Sequence, residues 1–317
     1  MVSLIDFLFK GCYGDEVRSN NDLLRWGPIS SVIFSRLSLD DVVMIVRQFP
    51  REDSWVLDLP CEREMRLIGF AASNFPGLAD KMLVPAIVPP DRIHRMQRGR
   101  DWVGDIYSSN MIFQALNLAG CVPSADSRFL DFGCSSGSLL RIVKAAFPAM
   151  RCFGCDPVLS SIEWASKNLP AIDFFSMDLV PPLSLVGGCV DIVSAVSIWS
   201  HYSPSAAREW LSEMRRILAP SGYLIMTIHG LYSLRWLSQA GQDASRISEI
   251  YNHLVSDGFF FESLDIESEL NLSSDWGNFY MSSDYLRQMV GDCWDVCLHL
   301  PGRNQWNQDV VVLRARE

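Results

Sequence analysis

The chain has no excess of basic charge. Among its 317 residues Lys and Arg total 27 against 37 Asp and Glu, for a formal net charge of -10. Neutralising nucleic-acid phosphates or an anionic membrane needs clustered cations, so neither partner is expected. No run approaches 18 uninterrupted apolar residues, so no transmembrane helix is expected. The opening stretch Met1–Lys10 has no basic lead and carries Asp6 inside its apolar run, unlike a secretory signal. Internal repeats and low-complexity tracts are absent. Cys152 and Cys155 form a single C-x-x-C, and the second pair that a zinc knuckle needs is missing, so no metal site is expected. Nine cysteines, an odd number in a long chain, read as reduced, buried thiols of a cytoplasmic protein. What is present is apolar material for a large core: 49% hydrophobic and 20% charged residues, which excludes disorder.

Residues 1–95 read as a mostly helical cap region. Ser38-Leu-Asp-Asp41 looks like a capping box ahead of the apolar run Val42–Val46, stopped by Pro50. Residues 54–60 could form one strand, and Pro85, Pro89 and Pro90 mark a boundary. Residues 96–317 then form the second region. From residue 125 onward strands and helices alternate. Strands are predicted at 128–132, 151–155, 172–177, 190–198 and 223–228, with helical stripes between them. The first stripe is Leu139, Ile142, Val143, Ala146 and Phe147; a later one holds Ala207, Trp210, Leu211, Met214, Ile217 and Leu218. This alternation implies an α/β, doubly wound parallel sheet. Residues 294–300 and 308–314 are two more strands, joined too tightly for a crossover helix, so they form a terminal antiparallel hairpin.

Ligands of such sheets sit outside the carboxyl ends of the strands. After the first strand comes Asp131-Phe-Gly-Cys-Ser-Ser-Gly137. Gly133 and Gly137 permit a tight turn and let a ligand approach the backbone at a helix N-terminus. After the second comes Asp156, 19 residues beyond Gly137, where a carboxylate can accept from two ribose hydroxyls. After the third comes Asp178, after the fourth Ser197-Ile-Trp-Ser-His201, and after the fifth His229-Gly230. A dinucleotide loop would read G-x-G-x-x-G. The spacing here is wrong for it, which argues against a nicotinamide oxidoreductase.

Together these residues resemble class I S-adenosylmethionine-dependent methyltransferases. The likeness spans roughly residues 100–317. It extends through Ser197–His201, the stretch Trp210–Leu218 and Thr227-Ile-His-Gly230. Two positions depart from the family pattern: Ser135 stands for the middle glycine, and Pro220-Ser-Gly222 for a Pro-Gly-Gly turn. The resemblance implies a Rossmann-like seven-stranded sheet with S-adenosyl-L-methionine as cofactor. Asp131, Gly133, Ser135 and Gly137 would hold its methionine part, Asp156 the ribose and Asp178 the adenine, with Ser197 beside them. The expected function is methyl transfer to oxygen or nitrogen of a small-molecule or sugar-like acceptor. The alternative is a degenerate module that binds the cofactor as a scaffold or sensor.

His201 and His229 fall at strand ends, and histidine is the side chain best poised to take a proton near neutral pH. His201 is the preferred base and His229 the second candidate, and either could instead be a packing residue. Tyr107 is expected to be an exposed helix aromatic. His94, His253 and His299 have no neighbours that argue for a role. The 247–286 segment stands apart. It has no Lys or Arg, eight acids and eight aromatics, and so contributes -8 of the net charge. It reads as a substrate-side insertion. Its acids and aromatics could receive a cationic acceptor, or the acids could be solvated with the aromatics turned inward. Oligomeric state and the acceptor are not encoded in any motif.

Overall fold

The computed structural model describes residues 28–49, 62–90, 93, 103–264 and 275–316. The strand expected at 54–60 and His94 lie outside them. Among the described residues five helices precede the sheet: α1 (Pro28–Phe34), α2 (Leu39–Gln48), α3 (Glu62–Asn74), α4 (Pro76–Met82) and α5 (Val103–Leu118). The capping box forms at α2. The Ser38 side chain accepts from the Asp41 N–H, and the Asp41 carboxylate accepts from the Ser38 N–H. Lys81 of α4 lies 2.7 Å from the same carboxylate. Lys81 and the Ser38 donors together hold the Asp41 pKa down to about 2.

The alternating part gives β1 (Arg128–Phe132), α6 (Ser138–Ala146), β2 (Arg151–Asp156), α7 (Leu159–Asn168), β3 (Asp173–Ser176), β4 (Val190–Ala195), α8 (Pro204–Ile217) and β5 (Leu218–Ile228). Next come α9 (Leu231–Gln239), α10 (Ala244–Ser256), β6 (Phe259–Ser263), β7 (Gly277–Met281), α11 (Ser283–Val290), β8 (Trp294–Asn304) and β9 (Gln308–Ala315). Seven strands make one sheet in the order β3-β2-β1-β4-β5-β9-β8. The first five are parallel, and β9 runs antiparallel between β5 and β8. This is the expected sheet with its terminal hairpin.

Side chains alternate between two cores. Phe129, Cys152, Ile192, Ile225 and Val310 face one side; Leu130, Cys155, Val193, Leu224 and Val311 face the other. Cys152 and Cys155 therefore point to opposite faces of β2. Every described cysteine is a free thiol, and burial pushes Cys152 up to about 12. The N-terminal helices share the first core with α5 and α6. α6 is thus covered by the sheet on one side and helices on the other, and eight of its nine residues are buried. Arg36 donates to the Ala145 and Ala146 carbonyls at its C-terminal end, at 2.6 and 3.1 Å. One turn in from its N-terminus, Arg141 donates to the Ile87 carbonyl (2.9 Å) and forms a buried ion pair with Asp105.

Three features differ from the expectation. β4 stops at Ala195 rather than Ile198, because Ser197 turns at φ +59 and its N–H goes to the Thr227 hydroxyl at 2.7 Å. The 247–286 segment contains a separate two-stranded sheet, β6 with β7. Tyr107 is 2% exposed, not a surface aromatic. Its hydroxyl donates to the Arg303 carbonyl (2.6 Å) and accepts from the Gln305 N–H (3.0 Å), which ties α5 to the β8–β9 turn. No described helix is long and apolar enough to cross a membrane.

Candidate active site

The carboxyl ends of β1 and β2 are joined by backbone. The Gly133 and Cys134 N–H groups both donate to the Cys155 carbonyl, at 2.9 and 3.0 Å. Gly133 sits at φ +78, and a Cβ there would collide with the Ile198 side chain, so both conformation and space require glycine. Gly137 at φ +75 opens α6, with Phe174 against it. Ser135 also takes a left-handed conformation, φ +49, in place of the family's glycine. That turn aims its N–H at Asp156 Oδ2, 2.8 Å away. The Val158 N–H donates to Oδ1 at 2.9 Å. Asp156 is 7% exposed, and this burial raises its pKa. A carboxylate has about four lone-pair positions, so two remain for ligand hydroxyls. The N-terminal N–H groups of α6 open onto the same edge.

Asp131 is buried and accepts from the Ser194 hydroxyl at 2.7 Å. It therefore ties β1 to β4 as well as facing the loop. Asp178 is exposed, next to Met177, whose N–H donates to the Asp156 carbonyl at 3.3 Å. Asp131, Gly133, Ser135, Gly137 and Asp156 are thus brought together by direct contacts or a shared turn. Asp178 lies beside them without a hydrogen bond to any of them. These residues fit the cofactor that the resemblance implies.

Ser197 belongs to a second group, at the ends of β4, β5 and β9. Its hydroxyl donates to Gln308 Oε1 at 3.0 Å, as do the Thr227 hydroxyl (2.8 Å) and Asn304 Nδ2 (2.9 Å). Gln308 Nε2 reaches the Ser200 hydroxyl (3.2 Å) and His229 Nε2 (3.4 Å). The His201 and His229 rings meet edge to face with centroids 5.8 Å apart. His201 stacks on Trp276 and His229 on Tyr280. Burial lowers both histidine pKa values, that of His229 to about 3 with help from His201, so both are neutral at pH 7.

The β6–β7 hairpin covers this pair. His201 Nδ1–H donates to the Gly277 carbonyl at 2.8 Å, and the Gly277 N–H donates back to the His201 carbonyl at 2.7 Å. The Phe279 N–H donates to the Ser200 carbonyl and the Met281 N–H to that of His229. The insertion's aromatics Phe279, Tyr280 and Tyr285 are buried. Its acids Glu249 and Glu262 are about half exposed and pair with Arg246, while the exposed Asp284 pairs with Arg287. Asp265, Glu267 and Glu269 lie outside the described residues. Among the described residues no group of side chains could hold a metal ion.

Gln308 was missed in the sequence, while Ser200, Thr227, Trp276 and Tyr280 lie in stretches that stood out there without a role of their own. Gln308 had a usable signal. It opens an antiparallel strand beside β5, and the first residue of such a strand lands at the carboxyl end of its parallel neighbour. His299, expected to lack neighbours, lies 2.8 Å from buried Asp309 in the same hairpin. His253 makes an exposed contact with Asp257.

Residues 129–222 match the family model of the methyltransferase domain. The matched stretch runs from β1 into β5, so the part of the sheet that carries the glycine turn and Asp156 is similar to a methyltransferase domain, which implies S-adenosylmethionine as cofactor. Similar solved structures include a Pyrococcus horikoshii protein, 16% identical, covering 65% of this chain and 90% of its own, with a TM-score of 0.45. A methyltransferase from Methanosarcina mazei is 17% identical over 61% of this chain and 94% of its own, TM-score 0.45. One from Clostridium acetobutylicum is 10% identical over 72% and 96%, TM-score 0.46. No curated protein matches the sequence.

Proposed function

We propose that this enzyme methylates an oxygen or nitrogen of a small-molecule or sugar-like acceptor in the cytoplasm, without nucleic-acid or membrane partners. The observation that carries the site assignment is the Asp156 carboxylate held by the N–H groups of Ser135 and Val158. Asp156 binds the ribose hydroxyls with its remaining lone pairs. Asp131 and the turn of Gly133, Ser135 and Gly137 hold the methionine part, Asp178 meets the adenine edge, and Ser197 borders the pocket. S-Adenosylmethionine, when bound, supplies a methyl group activated on sulfonium sulfur. The protein's part is then to orient the acceptor, exclude water and remove a proton where one must leave. His201 is the base: its Nδ1–H is committed to Gly277, which leaves Nε2 with a lone pair. His229 is the second candidate. Residues 1–95 form the cap region, and residues 96–317 the methyltransferase domain, with 247–286 as its substrate-side insertion.

What supports an active enzyme over a degenerate module is Ser135 itself. It keeps the left-handed turn of the glycine it replaces and directs its N–H to Asp156. Titration calorimetry with S-adenosylmethionine tests the site, and unchanged binding in Asp156→Ala would sink it. Mass spectrometry of a metabolite extract incubated with enzyme and labelled cofactor identifies the acceptor. A labelled product on carbon or on a macromolecule alone would reject the acceptor class.

A further inference from the structure

The two histidines are held in opposite senses. At His201 the Gly277 carbonyl can only accept, so the ring proton sits on Nδ1 and Nε2 carries the lone pair. At His229 the constraint comes through Gln308. Its Oε1 faces three donors, from Ser197, Thr227 and Asn304. An amide nitrogen has two protons and could not serve three partners there. The Thr227 oxygen accepts from the Ser197 N–H, and with the amide oxygen on this side its own proton is satisfied by Gln308. The amide NH2 therefore faces Ser200 and His229 Nε2. An NH2 group offers only protons, so His229 Nε2 is the acceptor and its ring proton is on Nδ1. That Nδ1 is buried and has no hydrogen-bond partner. A buried donor left open inside a site is a place for a ligand atom.

We propose that Gln308 is a positioning residue that locks His229 as the neutral Nδ1–H tautomer. The pair then offers the methyl acceptor one lone pair, His201 Nε2, and one donor, His229 Nδ1–H. The inference rests on the methyl-transfer reading of this site and divides two roles where the sequence offered two candidate bases, His201 before His229. His229 becomes a hydrogen-bond donor and not a base. The acceptor that suits the pair carries a proton to give up and, beside it, an oxygen with a free lone pair. A vicinal hydroxyl or a neighbouring carbonyl provides this.

The test is long-range proton–nitrogen NMR of the full chain labelled with 15N-histidine, without added ligand. The His229 signals are assigned by their loss in His229→Asn. The expected result is a ring protonated on Nδ1 and neutral down to pH 5. A proton on Nε2, or a charged ring at neutral pH, overturns the proposal. Gln308→Glu adds a second readout. A carboxylate can only accept, so it should move the His229 proton to Nε2 and raise the ring's pKa by at least one unit; an unchanged tautomer refutes the positioning role. Should Gln308→Glu fail to fold, the wild-type tautomer still decides. Calorimetry with S-adenosylmethionine on the same sample separates the two levels. Cofactor binding with the wrong tautomer rejects this inference alone, and the right tautomer without binding rejects the methyl-transfer reading beneath it.

Discussion

At the β1–β2 end of the sheet edge, both hydrogen bonds to the Asp156 carboxylate come from backbone N–H groups, and the turn that delivers one of them is five residues long. At the β4–β5 end, the bonds around Gln308 join side chains of three separate stretches of chain, around residues 197–200, 227–229 and 304–308, and a hairpin from a fourth covers them. On the proposed function, the difference follows from what each half must do. A fixed cofactor is met by a backbone turn that tolerates little variation in conformation. An acceptor is met by side chains, whose chemistry can change without altering the fold.

Lowering the pH attacks the acceptor half most strongly. The folded pKa of His229 lies at about 3, below the ordinary 6.5, so the unfolded chain takes up a proton that the folded chain refuses. Stability from this group is complete above pH 6.5 and is lost as pH falls towards 3. The slope is up to about 1.4 kcal/mol per pH unit, on the order of 5 kcal/mol in all. His201 acts in the same direction. Urea unfolding between pH 7 and 4 should show the loss, with a flatter slope in His229→Gln; equal slopes would contradict the assignment. Asp156 has the opposite sign, since its raised pKa favours the folded state when protonated.

Breaking the Asp105–Arg141 pair tests the support behind the cofactor half. Asp105→Ala leaves a buried guanidinium without its carboxylate and should cost about 3 kcal/mol in chemical denaturation. A loss below about 1 kcal/mol would mean that water reaches the site. Third, Asp156→Ala should weaken S-adenosylmethionine binding by about 100-fold, close to 2.7 kcal/mol. Exposed Asp178→Ala should weaken it by less than about tenfold, as should Trp276→Ala on the acceptor side. Calorimetry that reversed this order would dissolve the division into halves. The smallest effect is a gain. Ser135→Gly removes a side chain from a left-handed position and should raise stability by about 1 kcal/mol, read as a higher melting temperature.

The parallel strands and the glycine turn were legible because their signals are local. Arg128–Phe132 followed by Gly133 and Gly137, and Asp156 at the end of the next strand, carry their roles within a few residues. Tyr107 was not legible. Its helix gives no sign that the β8–β9 turn, some 200 residues later, supplies the carbonyl and N–H that hold its hydroxyl. The β6–β7 hairpin was missed for a similar reason: its aromatic runs are separated by a 13-residue connection, with no short turn to mark the pairing.

The net charge of -10 shows the same boundary. The sequence by itself located most of it in residues 247–286 and left two readings of those acids and aromatics. The tertiary structure stacked Trp276 and Tyr280 on His201 and His229, buried Phe279 and Tyr285, and paired the described acids with Arg246, His253, Ser203 and Arg287. Composition, hydrophobic period and turn chemistry are properties of neighbouring residues, so the sequence alone determined the sheet and the glycine turn. Which proton each histidine carries depends on Gln308 and Gly277, and only folding brings those atoms within hydrogen-bond distance.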